Sequence, residues 1–190
     1  QPLEERKVHI ARNHGSFVYP AEFMLIAAMN PCPCGNYPDM QKCSCTPRQI
    51  EQYLGKISQP FLDRMDLCIE TPRVQYQDLE ATKKEETSEV IRKRVSIARD
   101  IQKERYKTGK ADTNAMLGPR EIATYVRLGK EEKELMEQAF ERLGLTARTY
   151  HKILRVARTI ADLEQSTEVK SIHLKEAIGY RSLDKKYWGR

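Results

Sequence analysis

The chain contains no run approaching the ~20 consecutive apolar residues that a membrane-spanning helix needs, so no membrane partner is expected. Its first residues, Gln1-Pro2-Leu3-Glu4-Glu5-Arg6, are charged and have no apolar run behind them, so no secretory signal is visible in them. Internal repeats and low-complexity segments are also missing, which argues against a solenoid or a compositional linker. An initiator methionine is missing too, and we expect the chain to be part of a longer, cytoplasmic protein. Cysteine is scarce outside one cluster: of five, four are Cys32, Cys34, Cys43 and Cys45, and Cys68 stands apart. A disulfide scaffold spreads its cysteines along a secreted chain, whereas clustering of this kind favours metal.

What is present suits a well-solvated, helix-rich globule of one domain or two small ones. The 190 residues are 39% hydrophobic and 32% charged, too apolar for a disordered chain. Lys and Arg number 33 against 27 Asp and Glu, a net charge of +6. That excess permits a polyanionic partner such as nucleic acid or nucleotide, but an ordinary solvated surface accounts for it equally well.

The hydropathy pattern divides the chain. Residues 7–12 and 17–19 alternate around Asn13-His14-Gly15-Ser16, which predicts a β-hairpin with Gly15 at positive φ. Phe23 to Met29 is a short, nearly continuous apolar run and predicts a fully buried strand that ends at Asn30-Pro31. Thr46-Pro47 reads as an N-cap followed by a first-turn proline, with Ile50, Tyr53 and Leu54 on one helical face. Asp66 to Glu70 alternates and predicts a second buried strand, with Cys68 as a small buried apolar residue. A boundary is placed at residues 73–86. Beyond it we expect helices over Thr87–Tyr106 (with Ile91, Val95, Ala98 and Ile101 at helical spacing), from Pro119 to about Val126, over Lys130–Leu143, from Thr146 to Leu163 and over Ser171–Tyr180, with Lys107–Leu117 as an exposed polar loop. The fold class expected is α+β but mainly α. Two strands do not make a stable open sheet alone, which implies further strands preceding residue 1.

The cysteines are spaced Cys-x-Cys-x8-Cys-x-Cys. Four thiolates surround Zn2+ tetrahedrally and leave no open position for water, so the expected site is structural and not catalytic. Cys-x-Cys needs a sharper bend than the commoner Cys-x-x-Cys, and Pro33 and Gly35 help to supply it. The alternative is four reduced cysteines in a loop, or two adventitious disulfides.

Three segments carry a resemblance. Phe23-Met24-Leu25-Ile26-Ala27-Ala28-Met29-Asn30-Pro31-Cys32-Pro33-Cys34-Gly35 resembles the strand and cysteine loop of the Mg-chelatase-like AAA+ ATPases, a branch that includes a DNA branch-migration helicase. Pro60-Phe61-Leu62-Asp63-Arg64-Met65-Asp66-Leu67 is similar to the arginine-finger segment of that family, and Leu145 to Leu163 to its C-terminal lid helix. The likeness runs in order along almost the whole chain. It implies that residues 1–73 form the C-terminal part of an AAA+ core, with hairpin and zinc knuckle, and that residues 87–183 form an all-α lid.

The resemblance also implies roles. Asn30 would orient the attacking water beside the γ-phosphate; its amide both donates and accepts, as that task requires. The simpler reading is a turn residue before proline. Arg64 would be the arginine finger that reaches a neighbouring subunit's nucleotide, the alternative being a salt bridge to Asp63 or Asp66. Arg148 would be the lid's sensor arginine. A cation in a helix's first turn opposes the helix dipole, which a phosphate there would relieve; the alternative is an exposed arginine tolerated at small cost. Arg155 and Arg158 receive solvated or interface roles. The hairpin would enter a ring's central channel, where Lys7, Arg12 and His14 would contact DNA phosphates, or it is an ordinary exposed hairpin.

One departure from the family is plain: the chain has no G-x-x-x-x-G-K-[ST] loop and no apolar run ending in paired carboxylates. ATP and Mg2+ are therefore expected to be bound by the whole protein, assembled as a homo-oligomeric ring, a hexamer by resemblance, while this chain alone does not hydrolyse ATP. The favoured function is an ATP-driven DNA motor. The alternatives are a magnesium chelatase ATPase subunit and a non-enzymatic, zinc-stabilised nucleic-acid-binding module.

Overall fold

A computed structural model describes residues 2–13, 15–72, 74, 76, 86–109, 111–181 and 186–188. The chain forms two compact units, Gln1–Met65 and Asp66–Arg190. The boundary expected at residues 73–86 lies largely outside the described residues.

The first unit opens with a helical turn, α1 (Pro2–Glu5), and a hairpin of β1 (Lys7–Arg12) and β2 (Gly15–Pro20). The strands pair antiparallel, Val8 opposite Tyr19 and Ile10 opposite Phe17, and Gly15 takes the expected positive φ of 145°. Alternation along the pleat puts Val8, Ile10, Arg12, Phe17 and Tyr19 on one face and Lys7, His9 and Val18 on the other. Then come α2 (Pro47–Leu54) and the short α3 (Gln59–Leu62). Helix α2 starts where the sequence says it should. The Thr46 side chain accepts from Gln49 N, the Gln49 side chain returns to Thr46 N, and Pro47 costs no hydrogen bond in the first turn. Ile50 and Leu54 are its buried residues.

Both buried strands expected from the sequence are absent. Residues 22–30 form neither strand nor helix and are exposed, with Met24 at 83% and Ile26 at 81% of full accessibility. The reason is lateral. A strand exists through backbone bonds to neighbours, and the only sheet among the described residues is the hairpin, which ends at Pro20. Residues 66–70 likewise form no strand; Cys68 N donates to Tyr180 O at 3.1 Å, Cys68 is only half-buried, and Leu67 and Ile69 are exposed.

The second unit is helical and holds the core. Its elements are α4 (Ser88–Tyr106), a 3-10 turn (Asn114–Met116), α5 (Pro119–Tyr125), α6 (Lys130–Leu143), α7 (Ala147–Leu163) and α8 (Ser171–Gly179). Thr87 and Thr146 cap α4 and α7 through their side chains, Glu121 accepts from Gly118 N ahead of α5, and α6 ends at Gly144 with φ 53°. Helix α7 is the hub. Its residues Ile153, Leu154, Ala157 and Ala161 pack with Leu117, Met136 and Leu174 from the surrounding elements.

Two expectations fail here for definite reasons. The first half of α4 is not packed: Ile91 and Val95 are exposed, and burial begins at Ala98 and continues through Gln102 and Tyr106. The polar stretch 107–117 is not simply an exposed loop, because Ala111, Asn114 and Leu117 are buried in it. Asn114 is drawn inward by polar chemistry that hydropathy does not register. Its Nδ2 donates to Asp162 Oδ2 at 2.8 Å and to Thr159 Oγ1 at 3.0 Å, and its Oδ1 accepts from Tyr106 OH at 2.6 Å.

Asp162, with no accessible surface, is the centre of that network. Arg105 from α4 grips both its oxygens, and Arg158, one turn earlier on α7, reaches Oδ1 with Nε at 3.1 Å. Arg158 also donates to the Thr167 and Ser166 carbonyls that follow the helix. Its solvated role is thereby corrected: it is 2% exposed and tethers the chain leaving α7. The Asp162 carboxylate holds Arg105 firmly protonated, whereas burial pushes Arg158 the other way. His173 is buried too, accepting from Lys170 N at 3.0 Å through Nδ1 and meeting Glu164 through Nε2 at 2.9 Å, so it serves as the first-turn cap of α8.

Candidate functional site

In the first unit, the segment after Asn30 turns back on itself twice and gathers four sulfurs. Gly35 N donates to Cys32 O at 3.0 Å, which closes the first bend, and Cys43 N donates to Asp39 O at 2.8 Å, which closes the second. The Sγ atoms of Cys32, Cys34, Cys43 and Cys45 all lie within 4.8 Å of one another. Cys32 to Cys34 is 3.4 Å, Cys34 to Cys43 is 3.6 Å and Cys32 to Cys43 is 3.8 Å. A tetrahedron with Zn–S bonds of ~2.3 Å has edges of about 3.8 Å, so the sulfurs fit the shell of a single ion. Tyr37 N points at Cys32 Sγ (3.4 Å), and Asn36 Nδ2 is 3.8 Å from Cys34 Sγ while also donating to Lys42 O. Outer hydrogen bonds of this kind fix the ligands of thiolate metal sites.

The electrostatics agree. The Asn36 backbone N–H holds the Cys34 thiol down at about 5. At Cys45 a backbone bond from Cys34 works downward, yet burial and the crowded Cys34 and Cys32 sulfurs push the thiol up to about 12. Four thiolates cannot share so small a volume without a cation between them.

Asn30 enters this loop with only Pro31 between it and Cys32. It is exposed, and it does not end a strand. Its amide group lies against Gly35: a β-carbon placed on that glycine would sit 3.8 Å from Asn30 Cγ and Nδ2 and 4.0 Å from Oδ1.

Arg64 follows α3 with its side chain 25% exposed. It pairs with Glu4, sixty positions earlier: Nη2 and Nε meet Glu4 Oε2 at 2.9 and 3.1 Å, and Nη1 donates to Pro60 O at 2.6 Å. Spacing along the chain gives no sign of so distant a partner. Asp66 instead belongs to the second unit, where it accepts from Lys152 on α7 at 2.8 Å. Arg148 is exposed at the second position of α7, beside the N-terminal amides that Thr146 only partly satisfies. Lys7 and Arg12 are exposed on opposite faces of the hairpin, and His14 lies outside the described residues.

The structure thus gathers the cysteines with Asn30 in the first unit, holds Arg64 elsewhere in that unit and carries Arg148 in the second. The missed participants are Glu4 and Asn36, for which the sequence held no signal. Gly35 was marked in advance, as the glycine that a sharp bend after Cys34 demands.

Comparison with known proteins adds the following. Residues 1–79 match the model of magnesium chelatase, subunit ChlI, and residues 85–181 match that of the magnesium chelatase, subunit ChlI C-terminal. The competence protein ComM of Haemophilus influenzae is 42% identical over 184 residues, which is 96% of this chain and 35% of that protein. The YifB protein of Salmonella typhimurium is 40% identical over 97% of the chain and 36% of its own length. The Rv2897c protein of Mycobacterium tuberculosis is 34% identical over 95% of the chain and 35% of its own length. The chain spans about a third of the length of these curated relatives. No helix among the described residues is long and apolar enough to cross a membrane.

Proposed function

The chain belongs to the magnesium chelatase subunit ChlI family, and from that premise we propose that it is the C-terminal part of a cytoplasmic AAA+ ring ATPase that works on DNA. Residues 1–73 are then the end of the ATPase core and residues 87–183 its lid. ATP and Mg2+ are held by segments outside this chain. Asn30 aligns water against the γ-phosphate, Arg64 stabilises the transferring phosphoryl group of a neighbouring subunit, and Arg148 senses nucleotide from the lid. The observation that carries this reading is the order of the two family matches, which together cover all three segments bearing those residues.

The Arg64 geometry supports its assignment chemically. A guanidinium engaged with a carboxylate through Nε and Nη2 is already arranged for an oxyanion. Exchange of Glu4 for phosphate oxygens replaces one such partner by another, and a finger of this kind contributes ~10³-fold or more to turnover. On the DNA side, β1 and β2 carry Lys7 and Arg12 and no acidic residue, which suits contact with phosphates.

The four cysteines bind one structural Zn2+. Its shell is closed by thiolates, so it holds the loop and takes no part in bond breaking.

The test is ATP hydrolysis by the whole protein, with and without DNA. We expect turnover that DNA stimulates, abolished by Arg64→Ala with ATP binding spared. A protein that neither binds nor cleaves ATP but retains zinc and binds DNA would be the non-enzymatic module instead. ATP turnover indifferent to DNA but coupled to porphyrin binding would make it a chelatase subunit.

A further inference from the structure

We propose that Gly35 is a positioning residue for Asn30, so that metal held by the four cysteines sets the orientation of the Asn30 amide. The inference rests on the ATPase reading for its functional meaning, and on the knuckle alone for its geometry.

Asn30 is bracketed by the knuckle at two points. Behind it along the chain is Pro31, whose ring fixes φ, and then the ligand Cys32, which has no accessible surface. Across space is Gly35, the residue that follows the ligand Cys34. The Cys32–Gly35 bend, closed at 3.0 Å, needs the left-handed φ of 77° that Gly35 adopts. That bend lays the glycine backbone over the Asn30 side chain. The three heavy atoms nearest to a β-carbon built on Gly35 are all from the Asn30 amide group.

The first unit offers Asn30 little other support. Residues 22–30 are exposed and belong to no sheet among the described residues, so strand pairing does not fix this side chain. The knuckle that borders it has no apolar core, apart from the buried Cys32, and takes its rigidity from the ion. Once the sulfurs separate, the Cys32–Gly35 bend opens and the surface beside Asn30 withdraws. A displacement of about 1 Å at a group that orients a nucleophile lowers the rate by ~10²-fold. The same contact explains the bare backbone at position 35. A β-carbon there would sit at ordinary contact distance, but a longer side chain would occupy the place of the amide.

The first experiment uses this chain with asparagine side chains labelled with 15N, and the Asn30 amide signal assigned by its loss in Asn30→Asp. Withdrawal of zinc by a chelator is expected to shift or broaden that signal, and added Zn2+ to restore it. A signal unmoved while zinc leaves overturns the proposal. The second uses Gly35→Asn, since asparagine tolerates left-handed backbone better than other residues with side chains. In the whole protein the variant should keep zinc and ATP binding, with kcat lower by ~10- to 100-fold and KM unchanged. Wild-type kcat with zinc retained also overturns the proposal. If the variant loses zinc, the metal-withdrawal spectra decide the matter. Should the wild-type protein prove unable to cleave ATP, the ATPase reading fails, while the amide signal still reports whether the metal loop positions Asn30.

Discussion

At the scale of single residues, the second unit depends on a buried charge that no sequence pattern singles out. Asp162 is enclosed between two arginines, an asparagine and a threonine-bearing helix face. Its removal leaves Arg158, 2% exposed, without its ionic partner. Breaking a buried pair in this way costs about 3–5 kcal/mol. Asp162→Ala should therefore lower the urea midpoint strongly or leave the second unit unfolded, and a loss below about 1 kcal/mol would mean that the network is not a stability element. Arg158 and Asp162 stand four apart on a helix, a spacing that solvated surfaces share, and a solvated or interface role was expected of Arg158. Nothing local couples positions 105 and 114 to 162. The cysteines show the opposite case, where spacing alone identified the four that the fold brings together. Protons compete with metal for each thiolate, so acid displaces the ion. Zinc content should fall steadily on acidification, and a full complement retained at about pH 3 would argue against thiolate ligation.

At the scale of elements, caps were the most readable signals. Thr46-Pro47, Thr87, Thr146 and Gly144 each stand where a helix begins or ends. These are local rules: one side chain or one φ value satisfies the amides or carbonyls that a helix leaves over. Gly144 carries its cost in conformation alone, because a β-carbon there meets nothing within 4 Å. Gly144→Ala should then destabilise by about 1 kcal/mol, from left-handed backbone strain and not from a clash. A neutral result in thermal melts would show that the α6–α7 turn relaxes freely. Strands were read less well, for a physical reason. Phe23–Met29 has the composition of a buried strand, but composition only makes a segment suitable for pairing, and the ladder depends on neighbours that sequence pattern does not supply. The hairpin succeeded because its partner lies two residues away.

At the scale of the whole molecule, the two units differ in what holds them. The second has an apolar core around α7, whereas the first has a two-stranded hairpin, short helices and a loop that gathers four cysteines. Substitutions should divide accordingly. Ile153→Ala, inside the core, is expected to cost about 2–5 kcal/mol. Met24→Asp, at a side chain 83% exposed, should leave the melting temperature of this chain unchanged. A large drop for Met24→Asp would mean that the segment is covered in solution. The helices of the second unit were therefore legible by periodicity and caps, whereas the missing strand at 66–70 and the buried Asn114 were not. The first was legible at its hairpin and cysteines. Of the candidate residues, the sequence marked Asn30, Arg64 and Arg148 by resemblance, while the neighbours Gly35 of Asn30 and Glu4 of Arg64 lie across a bend or far along the chain.

Residues 23–29 carry no charge and no proline, and among the described residues their backbone groups bond to no other segment. Seven such residues with free amides and carbonyls match the profile of segments that stack into cross-β fibrils. Concentrated solutions of this chain by itself should accordingly acquire thioflavin fluorescence over time, and a charge introduced at Ile26 should suppress it.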